Sequence, residues 1–476
     1  MRNDMTIALL AACLATGPAF AAEDVNQAGA DRIKQAITTY VGSAPFDKGV
    51  VTVTPKGGEY ELKADFTALL TKFKNATIEA PPVIYHLKPM DDGRYAVTFD
   101  DTFRFKLAMD VPKGRIDYDV AVEGCKSDGV FDPALRALAT MVLKCANYRI
   151  AGKAPDQDIV ATIKDFSVDY KSERAAGGGL NVKVIESVGS FTETVKVQDA
   201  TLNGDITISG DGISAIVSTD DFKYDAMLDV LASIVRHDSP EALKADQNAI
   251  KAALLKLLPL QSSSKADVEV KNLTVGTPFG SVKLGTFAER FVFSGLTKQA
   301  SATFGFSYDG LVLPAIVPDW VQKISPNQGN VEFGVKDIDA DGLARLAIEK
   351  FDANRTPPID DASGPEFLKI LMAGAPHFLV NPSSLATSGI DVRFEGDMSM
   401  FPTQAGKFTV SSHGFDDLQV ALSNSDMQNK DKAALAIAFV KGLGKTGPDG
   451  RLLWEIEFDI PNKKLIVNGQ PMPVGP

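Results

Sequence analysis

Apolar and polar residues alternate most clearly over positions 95–111, where odd positions are apolar and even positions are mostly polar. Asp101 is the one charged residue on the apolar side of this pattern. Alternation with a period of two predicts a long, half-buried strand, and the intruding aspartate predicts a bulge or break. A turn at 112–114 and a second alternating segment at 116–122 follow. Together they predict a wide antiparallel hairpin with one solvated face.

The same alternation recurs along the chain, clearly at 302–308 and 452–460, and more weakly at 180–222, 266–294 and 385–412. Between these strand clusters, apolar residues recur every three or four positions, which is typical of helices. We expect helices at about 33–41, 133–143, 224–235, 249–258, 340–352, 365–373 and 428–441. A strand cluster is followed by a helix four times, which indicates a weak internal repeat of about 100 residues.

Runs of strands followed by helices favour an α+β fold dominated by β-structure. We expect long, antiparallel, twisted sheets, with interspersed helices packed on one face. The chain has 476 residues, enough for more than one domain. We expect an N-terminal β-rich α+β region over 22–260 and a C-terminal one over 261–476. Each region would hold two strand-cluster and helix units, and a closing hairpin would end the second.

The charge balance restricts the partners of the chain. It has 49 Lys and Arg against 61 Asp and Glu, a net charge of −12. A nucleic-acid partner is not expected, because neutralising phosphates needs a concentrated basic surface. The same deficit disfavours adhesion to anionic lipid headgroups, but it does not disfavour contact with lipid tails. No apolar run reaches the roughly 20 residues of a membrane-spanning helix, so we expect none in the mature chain.

The first 21 residues have the features of a secretory signal peptide. Arg2 gives a positive start, 7–15 is apolar, and a small-residue pattern predicts cleavage near Ala21. The mature protein would then lie in the periplasm, starting near Ala22. An alternative is a lipobox ending at Cys13, which would make the protein a lipoprotein anchored there. Both interpretations place the chain outside the cytoplasm.

Removal of Cys13 with the leader leaves two cysteines, Cys125 and Cys145. In an oxidising compartment a disulfide between them is the expected state. The closed loop would contain the helix predicted at 133–143 and would tie it to the strand that ends at Gly124. Two buried free thiols are the alternative.

One segment partly matches a metal-binding motif. Asp337, Asp339 and Asp341, followed by Gly342, fit the first half of a calcium loop, but Ile348 stands where the bidentate glutamate belongs. A helix N-cap at Asp339 explains the same residues more simply. These three aspartates are therefore a weak calcium candidate. We otherwise expect no metal, no cofactor and no catalytic residues, because the short motif matches lack the required structural context. The G-x-G-x-x-G match at 442–447 follows a predicted helix and precedes a strand, and the S-x-x-K match at 262–265 leads into a strand.

Two C-terminal segments carry a family resemblance. They are 454–460 (WEIEFDI) followed by 465–471 (LIVNGQP), and 306–314 (FSYDGLVLP) followed by 317–320 (VPDW). They resemble an uncharacterised alphaproteobacterial envelope family, domain-of-unknown-function family 2125, which is distantly similar to AsmA-like proteins. The resemblance implies a periplasmic, β-rich, non-enzymatic protein connected with outer-membrane homeostasis. It supplies no catalytic residues.

We therefore predict a non-enzymatic envelope protein that binds a lipid, another hydrophobic ligand or an envelope protein partner in an apolar groove. The candidate groove residues are six aromatic residues from these segments: Phe103, Phe105, Phe304, Phe306, Trp320 and Trp454. The alternatives are a periplasmic hydrolase with a carboxylate site that the sequence does not reveal, and an outer-membrane β-barrel.

Overall fold

The computed structural model describes residues 24–65, 76–112, 114–198, 203–237 and 239–473. The predicted signal peptide, its cleavage site and Cys13 lie outside the described residues. The chain divides into two compact units, of which unit 1 is Met1–Ser263 with Phe351–Ile359, and unit 2 is Ser264–Lys350 with Asp360–Pro476. Both units are β-dominated with antiparallel pairing and several helices, which confirms the predicted fold class.

Unit 1 consists of a sheet and helices at both ends of its sequence. Its strands are β1 (Val51–Lys56), β2 (Glu59–Ala64), β3 (Ala76–Glu79), β4 (Val83–Pro89), β5 (Tyr95–Val111), β6 (Gly114–Asp132), β7 (Ala137–Ala154), β8 (Gln157–Arg174), β9 (Leu180–Val188), β10 (Ser190–Gln198), β11 (Asn203–Gly210) and β12 (Gly212–Phe222). Its helices are α1 (Gln27–Val41), α2 (Ala44–Asp47), α3 (Tyr224–Val235), α4 (Pro240–Ala245) and α5 (Gln247–Lys256).

The sheet of unit 1 is an antiparallel ladder in the order β1–β2–β4–β5–β6–β7–β8, and β3 also pairs with β5. Strands β9 and β10 both pair with β8, one after the other along its length. Strand β12 then pairs with β9, and β11 pairs with β10. The register between β5 and β6 shifts between Asp101 and Phe103, which confirms the irregularity predicted at Asp101.

Helices α1 and α3 pack on the sheet of unit 1 and bury its main core. This cluster includes Ile37 of α1, Leu62 of β2, Phe131 of β6 and Leu228 of α3, all nearly inaccessible to solvent. Asn26 caps α1 by accepting a hydrogen bond from the backbone N–H of Gly29. The helices thus give unit 1 a dry interior.

The helix predicted at 133–143 is wrong. Residues 133–136 form a turn, where Arg136 has φ +57°, and β7 begins at Ala137. Apolar residues in this segment fit both a helical and a strand period. Strands β6 and β8 lie on either side of β7 and satisfy its backbone groups along its length, so pairing in the sheet prevails.

Cys125 and Cys145 lie on the adjacent strands β6 and β7. Their Sγ atoms are 2.09 Å apart, a disulfide distance, and their Cα atoms are 4.0 Å apart. Both residues are buried in a second cluster of unit 1, together with Val120 and Val122. The cysteine pair therefore joins two neighbouring strands and does not tie a helix to a strand.

Unit 2 contains a second antiparallel ladder. Its strands are β13 (Ser263–Thr277), β14 (Gly280–Phe293), β15 (Ala300–Asp309), β16 (Gln328–Ile338), β17 (His377–Ala386), β18 (Asp391–Ser399), β19 (Ala405–His413), β20 (Lys445–Thr446), β21 (Leu452–Asp459), β22 (Lys464–Val467) and β23 (Gln470–Pro471). Its helices are α6 (Asp319–Ile324), α7 (Ala340–Lys350), α8 (Gly364–Gly374), α9 (Phe415–Ser423) and α10 (Lys430–Leu443), and a 3₁₀ turn spans Asp361–Ser363.

Strands β13 to β19 of unit 2 pair in sequence order, β21 follows β19, and β22 follows β21. The short strands β20 and β23 pair with β21 and β22. Helices predicted at 340–352, 365–373 and 428–441 are confirmed as α7, α8 and α10. Short turns or loops join most consecutive strands, and segments that contain helices join β15 to β16, β16 to β17 and β19 to β21.

We expect Phe131→Ala to lower the free energy of unfolding of unit 1 by about 3–5 kcal/mol, because it removes a ring from a closed core. Phe131 has 0% of its surface exposed. Denaturant unfolding followed by circular dichroism would measure the change. The control is Val160→Ala in β8 of the same unit, whose side chain is 41% exposed, with an expected change below about 1 kcal/mol. Equal effects of the two substitutions would contradict the described core.

Candidate functional site

The sheet of unit 2 presents a continuous row of apolar side chains on one face. Residues directly opposite each other on antiparallel strands point to the same side of a sheet. The strand registers align one residue from each of the strands β14–β19, β21 and β22: Phe291, Phe304, Phe333, Val380, Gly396, Phe408, Ile456 and Val467. Gly396 is required in this row, because the ring of Phe408 lies where its Cβ would be.

A second apolar row lies two residues along each strand and therefore on the same face. It consists of Phe293, Ala302, Val335, Phe378, Met398, Gly406, Phe458 and Leu465. Neither row contains a charged residue. We call these two rows together the apolar face. Ring contacts connect neighbouring strands within it, at 5.6 Å between Phe304 and Phe333 and 5.8 Å between Phe408 and Phe458.

Three of the predicted groove residues share this side of the sheet. Phe304 belongs to the apolar face, and Phe306 and Trp454 follow two residues along their strands from members of it. Helices α9 and α10 cover the Trp454 end. The Trp454 indole N–H donates to the backbone oxygen of Val440 at 2.8 Å, and its ring lies 5.4 Å from that of Phe415. Trp454 is consequently buried.

Coverage of the apolar face decreases away from Trp454. Phe291 and Phe333 expose 42% and 38% of their surfaces, whereas Trp454 exposes 5%. Among the described residues, the two large buried clusters both belong to unit 1. The strands of unit 2 therefore keep an accessible apolar surface near β14 and β16.

The opposite face of the same sheet is polar and carries ion pairs. Asp397 contacts His377 and lies 3.0 Å from the Nζ atom of Lys336. Partial burial raises the pKa of the Asp397 carboxyl, but its hydrogen bonds with His377 and Lys336 outweigh this effect. The pKa of Asp397 is therefore lower than usual.

An ion pair links the start of β18 to the residue just before β21. Asp391, at the start of β18, binds the guanidinium groups of Arg451 and Arg393. Partial burial raises the pKa of the Asp391 carboxyl. The hydrogen bonds from the two arginines have a larger, opposite effect, so the pKa of Asp391 is below the usual range.

A cleft of unit 2 is lined mainly by polar residues and contains no residue of the two apolar rows. It has a volume of about 700 Å³ and lies between α6, α9 and the turn that joins β17 to β18. Trp320, a predicted groove residue, lines this cleft, and its indole N–H donates to the carboxylate of Asp426 at 2.7 Å. Trp320 therefore does not extend the apolar face.

The two remaining groove candidates belong to unit 1. Phe103 and Phe105 are half-buried and pack against the cluster around Cys125 and Cys145. The six predicted residues thus occupy three different environments. Periodicity alone assigns an aromatic residue to one side of its own strand, but it does not give the register that decides which strands are neighbours.

The weak calcium candidate has local hydrogen-bonding roles. The Asp339 carboxylate accepts a hydrogen bond from the backbone N–H of Gly342 at 2.8 Å, as the N-cap of α7. Asp341 forms an ion pair with Arg345 one turn later, and Asp337 has φ +60°. Within the described ranges, no group of three His, Cys, Asp or Glu side chains is placed to hold a metal ion.

Comparison with known proteins gives no further assignment. No protein-family model matches the chain, and searches of curated proteins and of solved structures also give no match. In the described part of the chain, no helix has both the length and the apolar character needed to cross a membrane.

We expect Asp391→Asn to lower the free energy of unfolding at neutral pH by about 1–3 kcal/mol, because charged hydrogen bonds to two arginines are weakened. A lowered native pKa stabilises the fold above the unfolded-state value, about 3.9, and this stabilisation is lost as the pH falls through the native pKa. The difference between wild type and variant should therefore shrink below about pH 4. Denaturant unfolding at a series of pH values would measure it.

The matched control is Asp449→Asn, since Asp449 contacts the same Arg451 at 3.4 Å but is 62% exposed. Its effect should stay within about 0.5 kcal/mol. A stability difference for Asp391→Asn that is constant from neutral to acid pH would contradict the assigned role of the carboxylate.

Proposed function

We propose that this chain is a non-enzymatic periplasmic envelope protein that binds an acyl chain or a similar hydrophobic ligand on the apolar face and supports outer-membrane homeostasis. The observation that carries the proposal is the alignment of apolar side chains from β14 to β22 with Phe291 and Phe333 accessible at one side. Exposed contiguous apolar surface of this kind usually marks an interaction site.

The dimensions of the apolar face suit a lipid tail. It crosses seven strand-to-strand steps, roughly 34 Å at about 4.8 Å per step, and the part from β14 to β17, away from the end covered by α9 and α10, accounts for three steps, roughly 14 Å. One bilayer leaflet contributes about half of the roughly 30 Å hydrocarbon core. An extended acyl chain therefore fits along a row, in contact with one side chain from each strand that it crosses.

The electrostatics favour binding over catalysis. Seven carboxyl groups of the described residues have a pKa below the usual range, because of hydrogen bonds or charges from arginine, lysine, histidine, amide or backbone partners: Glu61, Asp92, Asp119, Asp221, Asp352, Asp391 and Asp397. A carboxylic acid that donates a proton near neutral pH needs the opposite shift. These groups act instead as partners in ion pairs and turns.

The predicted periplasmic location is supported by the leader-like segment 1–21 and by the cysteine pair at disulfide distance. An exported protein in that compartment encounters lipids of both membranes. The resemblance to envelope proteins in 454–471 and 306–320 agrees with this location.

A displacement assay with a fluorescent fatty acid tests the proposal. We expect wild-type protein to bind the probe, and Phe291→Asn with Phe333→Asn to weaken binding about tenfold per ring, because each lost ring removes apolar contact area. Mass spectrometry of an organic extract of the purified protein would identify lipids that co-purify, and the double variant should carry fewer of them.

The control is Phe279→Asn, whose ring is exposed but lies in the turn between β13 and β14. It should bind the probe as wild type does. Absence of probe binding and of co-purified lipid in the wild type would overturn the proposal. Turnover of a generic ester, phosphate or glycoside substrate would favour the hydrolase alternative.

A further inference from the structure

Helix α10 has an unusual distribution of apolar side chains. None of its residues is buried, and Leu435, Phe439 and Val440 expose 73%, 59% and 42% of their surfaces. Leu435 and Phe439 are four residues apart and therefore lie on the same face, one turn from each other. A surface helix normally presents its polar side to solvent. Here the outward side is apolar.

The orientation of α10 is fixed by contacts on its other side. Trp454 donates to the backbone oxygen of Val440, and the side-chain amide of Asn468 donates to the backbone oxygen of Leu443 at 2.8 Å. Lys441 forms an ion pair with Asp416 of α9. These three contacts hold the C-terminal half of the helix, so Phe439 is presented outward by the fold itself.

Positive charges flank the apolar side of the helix. Residues 433–440 are uncharged, and Lys432 and Lys441 stand at the two ends of this segment. Lys430, Lys432 and Lys445 are exposed. The interval 430–445 contains one acidic residue, Asp431. The chain as a whole carries −12, so this helix reverses the sign locally. Lysines at the ends of an exposed apolar helix face are typical of helices that lie in a membrane interface.

We infer that α10 docks the protein on a lipid bilayer that carries anionic headgroups. Leu435, Phe439 and Val440 enter the boundary between headgroups and acyl chains. Lys432 and Lys445 contact phosphate groups, whereas Lys441 is held by Asp416 of α9. The occupant is a membrane because apolar exposure and flanking positive charge coincide on a single helix. This docking is a separate property from acyl-chain binding on the apolar face.

Flotation with vesicles tests the docking, using the full chain with its leader processed. Wild type should float with vesicles of phosphatidylethanolamine and phosphatidylglycerol, and less with phosphatidylcholine alone. Leu435→Gln with Phe439→Gln should reduce the bound fraction at least tenfold. Lys432→Gln and Lys445→Gln should each weaken binding to the anionic vesicles by roughly fivefold, an effect that added salt diminishes.

The control is Phe279→Gln, because Phe279 is as exposed as Phe439 but has no lysine neighbours in its turn. It should float as wild type does. The inference is overturned if wild type does not float with anionic vesicles, or if Leu435→Gln with Phe439→Gln floats normally. A dimer that this double variant dissociates, without vesicle binding, would assign the helix to a second copy of the chain.

The two proposals can fail separately. Phe291→Asn with Phe333→Asn should weaken fatty-acid binding about tenfold per ring and leave flotation unchanged, since neither residue lies on α10. Loss of flotation in that variant would contradict the inference that α10 is sufficient for docking.

Discussion

The register between antiparallel strands is the constraint on which unit 2 depends. Strands β15, β16, β18, β19 and β21 largely alternate apolar and polar residues, but only the observed pairing brings their apolar residues to one face with those of β14, β17 and β22. A shift of one residue in β18 would move Glu395 or Asp397 into the row, and a shift in β19 in one direction would move Lys407 there. The glycine at position 396, under the ring of Phe408, shows how closely this packing is fitted.

Both units contain antiparallel sheets with apolar side chains, but their helices cover these side chains to different extents. In unit 1, α1 and α3 cover the part of the sheet around Phe131, and Phe131 and Leu228 are fully buried. In unit 2, α9 and α10 cover the end near Trp454, and Phe291 and Phe333 remain accessible. The difference lies in how much of the sheet the helices cover, because the strands of both units have similar apolar content. A sealed face stabilises a fold, whereas an accessible one is available for a ligand.

Charged residues are distributed unevenly along the chain, and the net charge of −12 does not show this. The excess of acidic residues argues against contact with anionic headgroups when the chain is treated as a whole. Helix α10 nevertheless places exposed lysines beside exposed apolar residues, so a surface opposite in sign to the chain average exists. Many acidic residues elsewhere are engaged in ion pairs, as Asp391 and Asp397 are. Local arrangement, and not total charge, decides which surface can approach a membrane.

By itself the sequence determined the β-dominated class, the long strand with its irregularity at Asp101, and most helices, because these follow from local period and turn chemistry. It did not determine the structure of 133–143, where both periods fit and the neighbouring strands β6 and β8 decided. The sequence also grouped Phe103 and Trp320 with Phe304, although they lie in separate environments. Which aromatic residues meet depends on strand register and helix coverage, and both are set by contacts between residues far apart in the chain. Only the tertiary structure could therefore define the apolar face and the outward side of α10.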